Sequence, residues 1–139
     1  MVIMAIDYGD VRTGVAVCDK MELLASPVTV ITEKYQPKLI EKLMIVVNEK
    51  KPELLVVGLP KNMDGTLGFR AQACMEFAEM LTKQSGIPHE MVDERLSSVM
   101  AHNALRQSGK KEKKHGAVVD AVAATEILDR YLTWRKNTK

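Results

Sequence analysis

The segment Ile3 to Cys18, IMAIDYGDVRTGVAVC, constrains the fold more than any other part of the chain. An apolar run from Val2 to Ile6 ends in an acid, Asp7. Such a run, apolar at every position, suits a strand covered on both faces. Tyr8-Gly9-Asp10 is turn chemistry, and Thr13 to Cys18 returns as a strand rich in β-branched residues. The pattern predicts two antiparallel strands with a carboxylate, Asp7, and a guanidinium, Arg12, held at their junction.

The rest of the chain alternates. Leu23 to Ile31 reads as a third strand, and Pro27 places it at a sheet edge or at a bulge. Pro37 opens a helix with an apolar stripe of Leu39, Ile40, Leu43, Met44 and Val47, which Pro52 stops. Leu54 to Val57 is a short, wholly apolar strand of the sheet centre, closed by Gly58-Leu59-Pro60. After a polar loop, Lys61 to Gly68, a second helix puts Phe69, Ala73, Phe77, Met80 and Leu81 on one face and ends at Gly86 and Pro88. Glu90 to Asp93 is a brief strand. Ser97 or Ser98 caps a helix running to about Gln107. A lysine-rich loop follows, and a last helix from about Ala117 to Trp134 buries Val118, Ala121, Val122, Thr125, Leu128 and Leu132. The order β-β-β-α-β-α-β-α predicts an α/β fold: a mixed five-stranded sheet, three strands in a meander and then alternating helices and strands, with helices on both faces. No repeat or linker divides the chain, so a single domain over residues 1–139 is expected.

Composition narrows the function. Apolar residues make up 46% of the chain, enough for a packed core, but aromatics are only 4%, too few for a base-stacking platform. The net charge of +2 is too small to diagnose a nucleic-acid partner by itself. Cys18 and Cys74 lack CxxC spacing and read as reduced, buried thiols of a cytoplasmic protein; Cys and His never cluster at zinc-ligand spacing. No apolar run reaches membrane-spanning length, and the start of the chain lacks the form of a signal peptide.

In a sheet of this kind ligands collect at the strand ends where connections diverge. Asp7 ends the first strand, Asp93 and Glu94 end the last, and Asp120 lies in the first turns of the final helix. Neighbours on a strand face opposite sides, so only one of Asp93 and Glu94 can join Asp7. Glu94 is the preferred one, and the pattern leaves both open. Taken singly, each acid has an ordinary structural explanation: a turn, a surface ion pair, a helix N-terminus. Asp120, however, stands inside VVDAVAA, where a buried acid needs a partner or a metal. Converging carboxylates repel, and two divalent ions, Mg²⁺ or Mn²⁺, relieve that repulsion. In phosphodiester cleavage such paired ions, roughly 4 Å apart, activate water and stabilise the leaving oxygen. Arg12 and Arg95 suit phosphate contacts or structural pairing equally; Lys61 and Asn62 suit a backbone phosphate or sugar. Lys110, Lys111, Lys113 and Lys114 are a solvated charge run that, beside a phosphodiester site, would attract nucleic acid.

Four motifs together resemble one family. Asp7-Tyr8-Gly9 with Arg12, Gly14 and Ala16 resembles its first; Val57-Gly58-Leu59-Pro60 followed by Asn62-Met63-Asp64-Gly65-Thr66 its second. Asp93-Glu94-Arg95-Leu96-Ser97 resembles its third, and Val119-Asp120-Ala121-Val122-Ala123-Ala124 its last. The chain is similar in this to the YqgF/RuvX family of bacterial proteins with an RNase H-like fold. Phe69 stands where proline is expected, and Ser98 where threonine is common. The resemblance implies a metal-dependent nuclease with Asp7, Glu94 and Asp120 as its metal-binding catalytic acids. It implies as substrate the 5′ end of pre-16S rRNA, in ribosome biogenesis, or alternatively a four-way Holliday junction. The first implies the small ribosomal subunit as a partner; the second implies a two-fold homodimer where a monomer would serve the first. Two other classes compete. An actin-like or sugar-kinase ATPase shares the Asp-x-Gly turn, but this chain is short for its two large domains and has no Walker motif. A non-catalytic RNA-binding assembly factor would keep the fold without needing the acids.

Overall fold

Strand β1 (Ile3–Asp7) is the middle of the sheet because four consecutive apolar residues, Ile3 to Ile6, need cover on both faces. The computed structural model describes residues 1–60, 68–93 and 115–138, with side chains from 122 to 137 in the last stretch. β2 (Arg12–Cys18) returns antiparallel to β1, with Ala5 opposite Ala16 and Asp7 opposite Gly14. β3 (Ala25–Thr32) pairs antiparallel with β2 along one edge. There the register slips by one residue, from Val15 opposite Thr29 to Ala16 opposite Pro27. Pro27 thus sits at both an edge and an irregularity, where a missing N–H is tolerated.

β4 (Leu54–Leu59) and β5 (His89–Asp93) complete the sheet in the order β3-β2-β1-β4-β5. β4 runs parallel to β1, and β5 parallel to β4. Parallel neighbours need crossovers, and helices α1 (Gln36–Lys50) and α2 (Phe69–Ser85) occupy these connections. Pro37 stands in the first turn of α1, and left-handed Lys51 closes the helix with its N–H on the Val47 carbonyl, 2.7 Å, before Pro52. Gly86, at φ 75°, closes α2 in the same manner on Thr82. The last helix, here α3, spans His115–Thr138.

Alternation along the strands divides the core into two layers. Met4, Ile6, Val15, Leu55 and Val57 pack with Leu39, Leu43, Phe77 and Leu81 of α1 and α2. Ile3, Ala5, Ala16 and Val56 pack with Ala124, Ile127, Leu128 and Tyr131 of α3. The expected mixed sheet, helices on both faces and RNase H-like α/β architecture are all present.

Two buried faces differ from expectation. On α2, Phe69 is 95% exposed and Met80 is exposed as well; Ala71, Cys74, Phe77, Ala78 and Leu81 form the buried stripe. At about 100° per residue, positions 69, 73 and 80 lie on the flank of that stripe, because Cys74 and the small Ala71 and Ala78, not the bulkier Phe69 and Met80, meet the sheet. On α3, Val122 and Thr125 are only half-buried, while Ala124, Ile127 and Tyr131 join Leu128 and Leu132 in the core. The expected helix from Ser97 or Ser98 to Gln107, the Lys61 to Gly68 loop up to residue 67, and Lys110 to Lys114 lie outside the described residues, as do the side chains of Val118 and Ala121.

Candidate functional site

Asp7 closes β1 at the end of the sheet from which β1, β4 and β5 all run out. Ile3 and Ala5 pack with α3 and Met4 and Ile6 with α1 and α2, so Asp7 falls on the α3 side and Tyr8 on the other. Asp7 is half-buried. Its cross-strand partner on β2 is Gly14. On β4 the position one beyond the Ile6–Val57 pair is Gly58, which shares the face of Val56. Gly14 and Gly58 are therefore the strand positions on either side of Asp7.

The final helix is aimed at the same end. Arg135 Nε donates to Glu22 Oε1 at 2.8 Å, and the N-terminal ammonium donates to Glu22 Oε2 at 2.9 Å. The C-terminal part of α3 is thus fixed where β1 begins. At 1.5 Å per residue, position 120 lies about 22 Å farther along the axis. The strand from Met1 to Asp7 rises about 20 Å. The two lengths are similar, and position 120 stands one helical turn before Ala124 of the buried stripe.

Met91 packs on the α2 side and Val92 on the α3 side, so Asp93 falls with Met91, away from the face of Asp7. Glu94, Arg95, Lys61 and Asn62 lie outside the described residues, as does the side chain of Asp120. Arg12 opens β2, opposite Thr32, with an exposed side chain at the Asp7 end. Among the described residues, no three His, Cys, Asp or Glu side chains are grouped to hold a metal.

The turn between Asp7 and Arg12 is tight. A Cβ on Gly9 would lie 2.0 Å from the Arg12 carbonyl oxygen, so only glycine fits. The Gly9 N–H donates to Thr13 Oγ1 at 3.4 Å, and Thr13 is fully buried. An arginine that the sequence reading passed over completes the turn. Arg70, in the first turn of α2, donates from Nη1 to Asp10 Oδ1 at 2.6 Å and from Nη2 to the Tyr8 carbonyl. Its guanidinium lies over the Tyr8 ring, 5.0 Å from the centroid. That ring stacks on Phe77 with centroids 4.1 Å apart and planes 3° from parallel. Arg70 and Phe77 are seven residues apart and so lie on one stripe of the helix, both facing Tyr8.

A groove of about 690 Å³ lies between β5 and the C-terminal half of α3 and reaches Asp93. Glu90, Glu126, Tyr131 and Trp134 line it. Tyr131 Oη donates to Glu90 Oε2; burial first, and then this carboxylate acceptor, push the tyrosine up to about 12. Burial, with Asp129 nearby, pushes the Glu126 carboxyl above its usual range. A wall of carboxylates would repel a phosphodiester chain, so the groove is a poor substrate channel. Neither thiol suits nucleophilic chemistry: Cys74 is buried, and burial pushes Cys18 up while its sulfur accepts from the Ile3 N–H at 3.3 Å.

Residues 1–134 match the family model described as RuvX: Holliday junction resolvase. A protein of Natranaerobius thermophilus is 41% identical over 137 residues, covering 99% of this chain and 97% of its own. One of Crocosphaera subtropica is 39% identical over 133 residues, covering 96% and 93%. Both carry, provisionally, the name pre-16S rRNA nuclease. Among solved structures, RuvC of T. thermophilus in complex with a Holliday junction substrate superposes with a TM-score of 0.65 at 17% identity, over 99% of this chain and 97% of its own. That likeness is one of fold.

Proposed function

This chain belongs to the RuvX family, and from that premise we propose that it is a divalent-metal-dependent endonuclease that trims the 5′ end of pre-16S rRNA during ribosome biogenesis. The observation that carries the reading is Asp7: a carboxylate at the end of the central strand, with Gly14 opposite it on β2. The provisional name of the relatives supports RNA as the substrate.

Asp7, Glu94 and Asp120 are the proposed acids. All three offer hard carboxylate oxygens, the donor type that Mg²⁺ and Mn²⁺ prefer. Alternation along β5 speaks against Asp93, which falls on the face opposite that of Asp7, and Glu94 is the proposed second acid. Bound there, a pair of such ions would supply Lewis acidity and a water acidic enough to attack phosphorus. The chain's own part is positional: the acids hold the cations on the sheet end, and Arg12, Lys61, Asn62 and Arg95 hold the phosphates of the substrate against them. The whole of residues 1–139 works as one nuclease domain in this reading. Its thiols suit the reducing cytoplasm, and a monomer suffices for a single cut. Among the described residues, no helix is long and apolar enough to cross a membrane.

The family description favours a second reading, cleavage of four-way DNA junctions. That requires two symmetric cuts and hence a two-fold dimer. The deciding test presents a precursor RNA carrying the immature 16S 5′ end, alone and in small-subunit particles, and a mobile four-way junction to the protein under Mg²⁺ or Mn²⁺. Site-specific RNA cleavage supports the first reading. Paired nicks in the junction by a dimer support the second. Binding of RNA with no cleavage under any divalent ion would leave an assembly factor.

A further inference from the structure

We infer that Arg70 is the positioning residue of this site: it clamps the turn that follows Asp7 and so fixes the direction of that carboxylate. The inference rests on the nuclease reading for its functional consequence, while the clamp itself rests on four contacts.

Asp7 and Tyr8 are neighbours on β1 and face opposite sides of the sheet. Whatever immobilises Tyr8 therefore immobilises the backbone from which Asp7 projects. Tyr8 is held three ways from α2. Its ring is stacked on the fully buried Phe77. Its ring also carries the Arg70 guanidinium, and its carbonyl accepts from Arg70 Nη2. The other prong of the guanidinium reaches Asp10, on the far side of Gly9. One rigid fork thus spans the turn from residue 8 to residue 10. A fourth contact comes from α1, where Gln36 Nε2 donates to Tyr8 Oη at 3.4 Å. The Asp10–Arg70 pair alone is exposed and of little value as an ion pair. Its worth lies in planar geometry: a guanidinium satisfies two acceptors and a ring face at once, which an ammonium cannot. Arg70 thereby ties the start of α2 to the β1–β2 turn.

The inference separates Arg70 from the phosphate-binding role that an arginine near a nuclease site would ordinarily receive. A phosphate contact acts on substrate affinity and its salt dependence. A positioning residue acts on turnover, because displacing a catalytic group by a fraction of an ångström lowers the rate with binding little changed.

Arg70→Gln, Arg70→Lys and Asp10→Asn test this in the full chain, with the precursor RNA as substrate and Mn²⁺ alone as the cation probe. Arg70→Gln should lower kcat at least roughly tenfold with KM within about twofold, and should weaken Mn²⁺ binding, measured by calorimetry without RNA, by about threefold or more. Arg70→Lys should recover part of the kcat. The double variant Arg70→Gln/Asp10→Asn should be no worse than Arg70→Gln alone. Hydrogen exchange of the 7–14 segment should quicken roughly fivefold in Arg70→Gln while that of α3 stays unchanged. A raised KM and a shallower salt slope at unchanged kcat would overturn the inference and make Arg70 a phosphate ligand. Unchanged exchange in the 7–14 segment would overturn it as well. A wild-type protein that cleaves nothing would defeat the nuclease reading, and the exchange measurement would still decide the clamp.

Discussion

Glu22 and Glu126 carry opposite pH signatures. Glu22 accepts from the N-terminal ammonium and from Arg135, in that order of effect, and its carboxyl is held below the usual range. These contacts also hold a backbone at φ 59°, a left-handed conformation that only Lys51 shares among the described non-glycine residues. A depressed acid adds stability above its unfolded pKa and loses it as pH falls through the folded value. Glu22→Gln should therefore cost about 1 kcal/mol at pH 7, and the gap should close as melts are repeated at pH values falling below the ordinary carboxylate range. Glu126 is the reverse case. Its raised carboxyl favours the fold when protonated, and that support is lost as pH rises through the folded value. Glu126→Gln should raise Tm at pH 7 and give no advantage at pH values below the ordinary carboxylate range. Gly9 supplies a steric prediction: Gly9→Ala forces the Arg12 carbonyl aside and should cost about 2 kcal/mol in urea unfolding, with loss of cleavage. The need for a turn here was legible in Tyr8-Gly9-Asp10, but the fork that closes it was not. Arg70 comes from sixty residues away, and no local pattern announces a contact of that range.

At the scale of elements, local periodicity named every described strand and helix, and proline and glycine placed most of their ends. Pro27 foretold the edge and the irregularity of β3, and Pro37 the start of α1, because each restricts the backbone wherever it stands. Periodicity located the helices more reliably than it oriented them. On α2 the choice between the stripe of Phe69, Ala73 and Met80 and that of Ala71, Cys74 and Ala78 depended on which residues could approach the sheet closely, and the small ones did. On α3 every residue of VVDAVAATEIL is apolar or small enough to be buried except the acids, so the face was set by β1 and β2 beneath it. Leu128 lies at the centre of that contact and is fully buried. Leu128→Ala should lower the unfolding free energy by about 3 kcal/mol, read as a shift of the urea midpoint at unchanged slope.

Across the whole molecule, the topology explains why acids so distant in sequence could share a site. Parallel pairing of β1 with β4 and of β4 with β5 brings three strand ends to one edge, and α3, running back over β1 and β2, returns its first turns to the same edge. The meeting of the three strand ends follows from strand order, which the β-β-β-α-β-α-β-α pattern already implied. The pattern left Asp93 and Glu94 both open, and the face of Asp93 was legible only from Met91 and Val92, which pack on opposite sides of the sheet. The account therefore rests on Asp7 acting with Asp120 upon a bound cation. The most direct test compares wild type, Asp7→Asn and Asp120→Asn for cleavage of the precursor RNA under saturating Mn²⁺, with RNA affinity measured on the same samples. Losing a cation-holding carboxylate removes several kcal/mol of transition-state stabilisation, so each variant should cleave at least about a hundredfold more slowly. RNA affinity should stay within about threefold of wild type. Cleavage by either variant at the wild-type rate would contradict the account.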